Sequence, residues 1–471
     1  MSLKLPSVDE VTTINRDGSR YFLHPSDVSG QFTLARRVFA LLLISLYVLL
    51  PWIPINGFPA VFLDVEQRSF HLFGLTFAAQ DLWLGFFVIS GLGFSLFYVT
   101  ALFGRLWCGW ACPYTVFLEH VYRRIERWVD GDAAARRRLD AAPMDPGKAA
   151  RRVFKHGLYF VVSFLIAHVF LSYFVSLPRL WQMMAQRPGD HLLAFGIVMF
   201  LTLALYGAFA WFREQFCIIM CPYGRIQSAL TDDDTLTIGY DAKRGEPRGK
   251  AGTEGAGDCI NCLRCVQVCP TGIDIRNGLQ LECVGCANCV DACDAIMTHL
   301  DRPRGLVRYA SMNNLAGKPT RWLRPRIFLY TALLAVGLGV MLFSLTKLRP
   351  FQTGFVRLPG PSYYVDPVKM AVRNQFQVRL INKRMIPQTF RITLEGAPAA
   401  ATLTGPETDF QLGPQEERLV AAIVEIPRAS YQGRQPLVLR ITSEPGGHVV
   451  RKKFEFTGPD PRLLDETFLQ P

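Results

Sequence analysis

The sequence predicts a multi-domain membrane protein: a five-helix transmembrane region, an inserted α+β domain organised by cysteines, and a C-terminal β-sandwich. Three observations predict it. Hydrophobic residues fill 50% of 471 positions, Phe alone contributes 34, and charged residues total only 19%. All 12 Cys fall between residues 108 and 293. From residue 347 onward the pattern changes to short alternating patches. The net charge of +12 sits on a chain too apolar for a purely soluble nucleic-acid binder, so no nucleic-acid partner is expected.

The first span is expected from near Thr33 to the Pro51–Pro54 break, preceded by Arg36 and Arg37 and carrying the run VFALLLISLYVLLPWI. Further spans are expected over Leu82–Phe103, Gly157–Leu177, His191–Phe212 and Ile327–Leu345, each within the roughly 17–25 residues that a bilayer requires. Flanking charge orients them, because Lys and Arg are retained on the cytoplasmic side. Five such residues precede the first apolar run and eleven lie in 104–155, whereas the connections after the first and third spans carry one and two. Residues 213–326 carry fifteen. The N-terminus and the Cys-rich segment are therefore expected inside, and the fifth span exports the tail. Residues 1–30 are too polar for a cleaved secretory signal, so the first span is expected to stay as an anchor.

Between the first two spans, Phe58–Phe77 alternates briefly, as a short outward hairpin or interfacial segment would. Residues 239–258 hold Gly, Lys, Arg and Glu with almost no large apolar side chains, and read as an exposed linker. The tail carries FQVRLI, FRITLEG, LVAAIVEI, LVLRITSE and KKFEFTG between turn-rich stretches, which predicts an antiparallel sandwich. It contains no Cys, so a docking or structural role is expected of it. The expected divisions are 1–32, a cytoplasmic segment; 33–230, four spans; 231–322, the Cys-rich domain; 323–346, the fifth span; and 347–471, the sandwich.

The cysteines carry the chemistry. On a side where disulfides are uncommon, metal ligation is the default. Cys259, Cys262, Cys265 and Cys269 with Pro270, followed by Cys283, Cys286, Cys289 and Cys293, are two C-x2-C-x2-C-x3-C runs. That arrangement holds two [4Fe-4S] clusters, with three thiolates of each run on one cluster and the fourth on the other. Cys259, Cys262, Cys265 and Cys293 are assigned to one cluster, and Cys283, Cys286, Cys289 and Cys269 to the second. Two closed zinc sites would leave the third Cys of each run and Pro270 without a role.

Cys108-Gly-Trp-Ala-Cys112-Pro113-Tyr114 and Cys217-Ile-Ile-Met-Cys221-Pro222-Tyr223-Gly224 are two matching CxxxCP motifs, each following an inward-going span. On a helix, positions i and i+4 share a face, so each pair is expected to present two thiolates to one ion at the membrane surface. Soft thiolates favour Cu(I), and four Cys also suit zinc or a further iron-sulfur centre. Met220 is more simply packing than a thioether ligand. His168 and His191, without a ligand-spaced partner, are not read as haem ligands. Glu119 and His120 begin a basic amphipathic stretch with Arg123, Arg124 and Arg127, expected to lie on an anionic membrane surface. No dinucleotide or phosphate-loop glycine pattern accompanies a strand and helix, so the electron donor is expected to be a separate protein.

The two Cys runs resemble bacterial two-cluster ferredoxin domains, with Asp294 where Pro often follows the last Cys and only 13 residues between Cys269 and Cys283. The ordered set of spans, CxxxCP motifs, ferredoxin-like α+β domain, fifth span and exported sandwich resembles the cytochrome c oxidase accessory protein family CcoG, also called FixG or RdxA. This resemblance covers nearly the whole chain. It implies an immunoglobulin-like tail in the periplasm, a place in the bacterial inner membrane and a role in cbb3-type cytochrome c oxidase assembly, as a cupric reductase supplying Cu(I). Cys108, Cys112, Cys217 and Cys221 then become catalytic and copper-binding candidates. A cytoplasmic electron donor, a copper transporter or chaperone, the oxidase assembly machinery and membrane lipids become the expected partners, with a homodimer allowed. Two other readings stay open: a quinol-oxidising electron-transfer subunit of the polyferredoxin type, and a nonenzymatic assembly scaffold.

Overall fold

A computed structural model describes residue 13 and residues 20–65, 69–78, 82–346, 350–357, 361–384, 386–405, 409–414 and 416–463. Most of the N-terminal segment 1–32, namely 1–12 and 14–19, lies outside the described residues. The chain forms two compact units, one of residues 1–67 and 83–341, the other of 68–82 and 342–471.

In the first unit and at its edge, five helices are long and apolar enough to cross a membrane: Gln31–Trp52, Trp83–Phe103, Pro146–Leu171, Pro188–Phe212 and Pro325–Thr346. Four lie close to their expected positions. The third starts well upstream, because the Asp145 carboxylate accepts from the Lys148 backbone N–H and Pro146 occupies the first helical position, a strong N-terminal signal. It also ends early: the chain breaks at Ser172 and resumes helix at Leu177–Ala185. Large apolar side chains such as Ile89, Leu193 and Phe328 stay exposed on these helices, as lipid-facing positions do. Between the first two spans, Pro54–Ile55 pairs antiparallel with Phe58–Pro59, and Ser69–Leu72 with Leu75–Ala78. The expected hairpin character is therefore present, in two pieces.

The Cys-rich segment is closed by a two-stranded ribbon, Thr237–Tyr240 against Val307–Ala310. This corrects the linker reading of 239–258 at its start. Ile238, Gly239 and Tyr240 are buried, and Ile238 and Tyr240 pack with Val290, Met297, Leu306 and Val307. Apolar partners more than fifty residues away make a strand of what looks locally like a polar connection. Residues 251–255 do remain exposed.

The second unit carries the sandwich. One sheet orders Thr402–Thr404, Glu417–Pro427, Ala371–Asn382 and Phe351–Arg357, with Tyr364–Asp366 also on Ala371–Asn382. The other orders Phe410–Leu412, Gln388–Glu395, Gln435–Glu444 and His448–Phe456. All five expected patches are strands. Alternate residues such as Val378, Leu380, Phe390, Ile392, Leu439 and Ile441 turn inward to one core, the period-two signature of a half-buried sheet.

Candidate metal centre

The two Cys runs fold alike. In each, the residue before the second Cys and the residue after it take left-handed backbone angles: Asn261 (φ 55°) and Leu263 (φ 58°) in the first, Gly285 (φ 65°) and Ala287 (φ 60°) in the second. For Asn261, Leu263 and Ala287 this conformation costs about 1 kcal/mol each, and a cost repeated at matching positions is one imposed by the required loop shape. Helices then start at Arg264 and Asn288. The first stops at Gln267, just before Cys269-Pro270, whereas the second continues through Cys293 to His299. Asp294 explains the difference. It permits the helix that Pro would break, and its Oδ1 accepts from the Gly305 N–H at 2.8 Å.

The thiols gather in the crossed sets. Cys259, Cys262, Cys265 and Cys293 line one cavity, walled by Leu263, Ile296 and Met297. Burial pushes Cys293 up to about 12, and Cys265, Asp294, Cys262 and Cys259 add repulsion. In the other set, burial pushes Cys283 up to about 12, with Cys286 and Cys269 adding to it. Cys289 is raised by burial and then by Cys286, Cys283, Cys269 and Cys265, so it neighbours both sets. Thiols this buried resist ionisation until a cation supplies positive charge. Four soft donors around an apolar-walled cavity fit an iron-sulfur cluster.

The CxxxCP motifs depart from the expected helical face. Cys108 lies in the short helix Leu106–Trp110, but Cys112 is extended (φ −59°, ψ 122°) at the cap of the helix starting at Pro113. Cys217 lies in the turn Phe216–Met220, and Cys221 (φ −70°, ψ 112°) caps the helix starting at Pro222. Pro disfavours helical angles at the residue before it and suits the first helical position after it, so each motif is a break between two helices. Burial raises Cys112, whereas the backbone N–H groups of Thr115 and Tyr114 lower it, and Cys108 and Cys221 raise it further. Burial pushes Cys217 up to about 12, with Cys112, Cys108 and Cys221 contributing. All four thiols therefore share one neighbourhood. Among the described residues, no three His, Cys, Asp or Glu side chains converge tightly enough to hold a single ion.

The two motifs are related by exchange. Each delivering helix ends in a left-handed residue four positions before the first Cys: Gly104 (φ 56°) before Cys108, Arg213 (φ 48°) before Cys217. The single proton of the Tyr114 hydroxyl lies between the carbonyls of Arg213 (2.7 Å) and Ala208 (2.9 Å), at the end of the helix that leads to the second motif. The Tyr223 hydroxyl bonds to Thr100, on the helix that leads to the first. The tyrosine in each CPY thus ties its motif to the other.

The first motif also meets the second Cys run. Cys108 and Cys286, each 6% exposed, share a buried cluster with Val284 and Tyr223. A side chain on Gly109 would fall 2.5 Å from the Val284 carbonyl, so only glycine allows this approach. Arg36 spans the junction, donating to the Gly109 carbonyl (2.9 Å) and to Asn288 Oδ1 (2.7 Å). Trp110 donates to the Tyr309 hydroxyl (3.2 Å), which donates to the Gly285 carbonyl (2.6 Å). Gln227 Nε2 donates to Cys108 Sγ at 3.4 Å. Asp291, between Cys289 and Cys293, accepts from the Thr33 N–H and hydroxyl, both at 2.7 Å, and so caps the first spanning helix. Sequence reading found none of these supports; the repeated Tyr after CP was their one visible signal.

The stretch after the first motif is amphipathic as expected, with Arg124 and Trp128 exposed, but its inward face holds buried charges that the sequence did not reveal. Arg123 is 1% exposed and pairs with Glu119 and with Glu214 (3.0 Å), and it donates to the Pro270 carbonyl at 3.2 Å. Glu126 pairs with Arg213 and Arg136. Opposite charges from distant segments make the inward face polar. Met220 is 55% exposed, and His168 Nδ1 bonds to the Phe164 carbonyl in its own helix.

Comparison with known proteins places this architecture. A 4Fe-4S dicluster domain matches residues 212–312, and a 4Fe-4S binding domain matches 84–131. The immunoglobulin-like fold found at the C-terminus of FixG matches residues 341–459. The chain is 32% identical to the nitrogen fixation protein FixG of Rhizobium meliloti (strain 1021), over 90% of both chains. It belongs to the FixG/RdxA family. Protein RdxA of Cereibacter sphaeroides is 34% identical over 83% of this chain and 89% of its own. Protein RdxB of the same organism is 35% identical over 82% and 87%. This FixG/RdxA chain is therefore a membrane protein with iron-sulfur domains and a FixG-type immunoglobulin-like C-terminal domain. The 84–131 match includes Cys108 and Cys112, and the 212–312 match includes Cys217 and Cys221 as well as both Cys runs.

Proposed function

We propose that this FixG/RdxA chain is a cupric reductase of the bacterial inner membrane, supplying Cu(I) for the copper centre of cbb3-type cytochrome c oxidase. Cys259, Cys262, Cys265 and Cys293 would hold one [4Fe-4S] cluster, and Cys283, Cys286, Cys289 and Cys269 the other. When bound, such clusters supply single electrons, one for each Cu(II) reduced. Cys108, Cys112, Cys217 and Cys221 take up the copper substrate, and their soft sulfurs favour the Cu(I) product. As thiols raised by burial, Cys112 and Cys217 release protons when the cation arrives. Arg36, Gly109 and Gln227 hold the first motif against the second Cys run, which keeps the transfer distance short.

The single observation that carries this reading is the buried junction at which Cys108 and Cys286 share one cluster and Gly109 abuts the Val284 and Cys286 backbone. The positive flanks of the spans support a cytoplasmic site, fed by a cytoplasmic electron donor and drained by a copper transporter or chaperone. Anaerobically purified protein should reduce Cu(II), and Cys108→Ser with Cys221→Ser should abolish this while leaving cluster absorption intact. Unchanged copper reduction in that variant overturns the assignment.

A second reading has its own support. The 4Fe-4S binding domain match over 84–131 favours a further iron-sulfur centre on the CxxxCP thiols, as in a quinol-linked electron-transfer subunit. Iron and sulfide beyond what two clusters contain, together with cluster reduction by quinol in the absence of copper, would establish it.

A further inference from the structure

Beside the junction that Arg36 spans lies a polar cavity with an excess of positive charge. It is lined by Arg36, Arg37, Arg124, Arg127, His120 and Asn288, among others. Four guanidiniums face it from two segments, the start of the first spanning helix and the helix Arg123–Asp130. Two carboxylates also line it, Asp27 and Glu119. Asp27 pairs with Arg127 at 2.9 Å, and Glu119 is taken by Arg123. Among the described residues, Arg36, Arg37 and Arg124 form no salt bridge. The cavity therefore carries an excess of positive charge.

Arg36 is only 4% exposed, yet its Nη2 has no hydrogen-bond partner among the described residues. Its other donors are committed to Gly109 and Asn288. A buried guanidinium nitrogen without an acceptor is costly, and an acceptor in the cavity would relieve it. The electrostatics agree with the geometry: burial lowers the Arg124 pKa first, and Arg37 and Arg127 lower it further. His120 is held down at about 4 by burial and then by Arg36, so at neutral pH it adds no charge.

We propose that Arg36, Arg37, Arg124 and Arg127 form a binding site for a phosphate group. A planar guanidinium fork pairs two donors with two oxygens of a carboxylate or a phosphate, but several forks around one site are matched by the oxygens and charge of a phosphate, which exceed what a carboxylate offers. Arg36 and Arg37 lie early in the first apolar helix, just before its apolar run, which in a membrane would put the site beside the headgroups, so the phosphate has two sources: an anionic lipid headgroup or a soluble phosphate. In either case the ligand fixes Arg36, and through it the Gly109 carbonyl beside Cys108 and Asn288 beside Cys289. Occupancy would stiffen the contact between the first CxxxCP motif and the second Cys run.

The test uses the full chain in neutral detergent and in nanodiscs. Inorganic phosphate is titrated against the detergent-solubilised protein, and thermal midpoints are compared in phosphatidylcholine discs with and without phosphatidylglycerol. Arg37→Gln with Arg124→Gln is the test variant, Arg37→Lys with Arg124→Lys keeps the charge, and circular dichroism checks the fold. Saturable phosphate binding, weakened on the order of tenfold in the glutamine variant and by less in the lysine variant, which keeps the charge but loses the fork, supports a soluble source. A midpoint raised only by phosphatidylglycerol, and not in the glutamine variant, supports a headgroup. Should the glutamine pair not fold, Arg124→Gln alone carries the same comparison, because that side chain is exposed. No response to either probe, or equal responses in wild type and the glutamine variant, overturns the proposal.

Discussion

The two CxxxCP motifs share a sequence pattern, a helix break at the second Cys and a tyrosine that reaches toward the other motif, yet they are embedded differently. The first is built into the Cys-rich domain: Cys108 is buried, Gly109 touches the Val284 carbonyl, and Arg36, Trp110 and Gln227 secure the surrounding chain. Cys112, Cys217 and Cys221 are all half-buried, so the second motif is the more open through having no counterpart of buried Cys108 and through the exposed Met220. Symmetry of sequence here produces asymmetry of access. One motif packs against the second Cys run; the other is more open, and under the proposed function it is the side by which copper would enter.

The largest break in that comparison should come from Gly109→Val. Its side chain would overlap the Val284 carbonyl, and overpacking of this kind costs about 1–3 kcal/mol. We expect a lower thermal midpoint and loss of most copper reduction. The second motif has Ile218 where the first has Gly109; its own glycine, Gly224, follows the tyrosine, and Gly224→Ala, which adds a single methyl 2.8 Å from the Cys217 carbonyl and 3.0 Å from the Arg105 guanidinium, should cost less. Equal effects of the two substitutions would remove the asymmetry.

Arg36→Met comes next. It leaves the Gly109 carbonyl and Asn288 without their donor in a buried place, about 1–3 kcal/mol by denaturant titration. Acid tests the charged network behind the first motif. Burial raises the Glu126 pKa, but Arg213, Lys155, Arg123 and Arg136 outweigh it and hold the carboxyl at about 2, below its ordinary 4.5. A depressed carboxyl pKa stabilises the fold above the unfolded value. That contribution should fade as pH falls from about 4.5 through about 2, and Glu126→Gln should flatten the profile. Stability that rises across this window would contradict the pairing.

Tyr114→Phe and Tyr223→Phe should each cost about 1 kcal/mol, the worth of one hydrogen bond. Met220→Leu should change stability by less than roughly 0.5 kcal/mol and leave copper reduction intact, as a surface substitution does. A marked loss of reduction in Met220→Leu would bring the thioether into the site.

What the sequence revealed followed from periodicity and spacing. The Cys runs announced their loops, and long alternating strands such as Ala371–Asn382 announced the sandwich. Phe410–Leu412, Thr402–Thr404 and Tyr364–Asp366 were missed because three residues cannot display an alternation. The helical-face reading of Cys108 and Cys112 failed because the restriction Pro113 places on Cys112 outweighs the spacing. The partners of Arg123 were unreadable, since Glu214 and the Pro270 carbonyl come from segments far along the chain. The same holds for Asp291, whose role as a helix cap exists only once the Cys-rich domain meets the first span.

The most direct measurement of the central claim is rapid mixing of the anaerobically reduced protein with Cu(II), following reduced-cluster absorption and a Cu(I)-specific chelator together. The account predicts that both signals change with one rate, one Cu(I) appearing for each electron lost, and that Gly109→Val slows both alike. Clusters that stay reduced in the presence of Cu(II), or that oxidise without forming Cu(I), would contradict it.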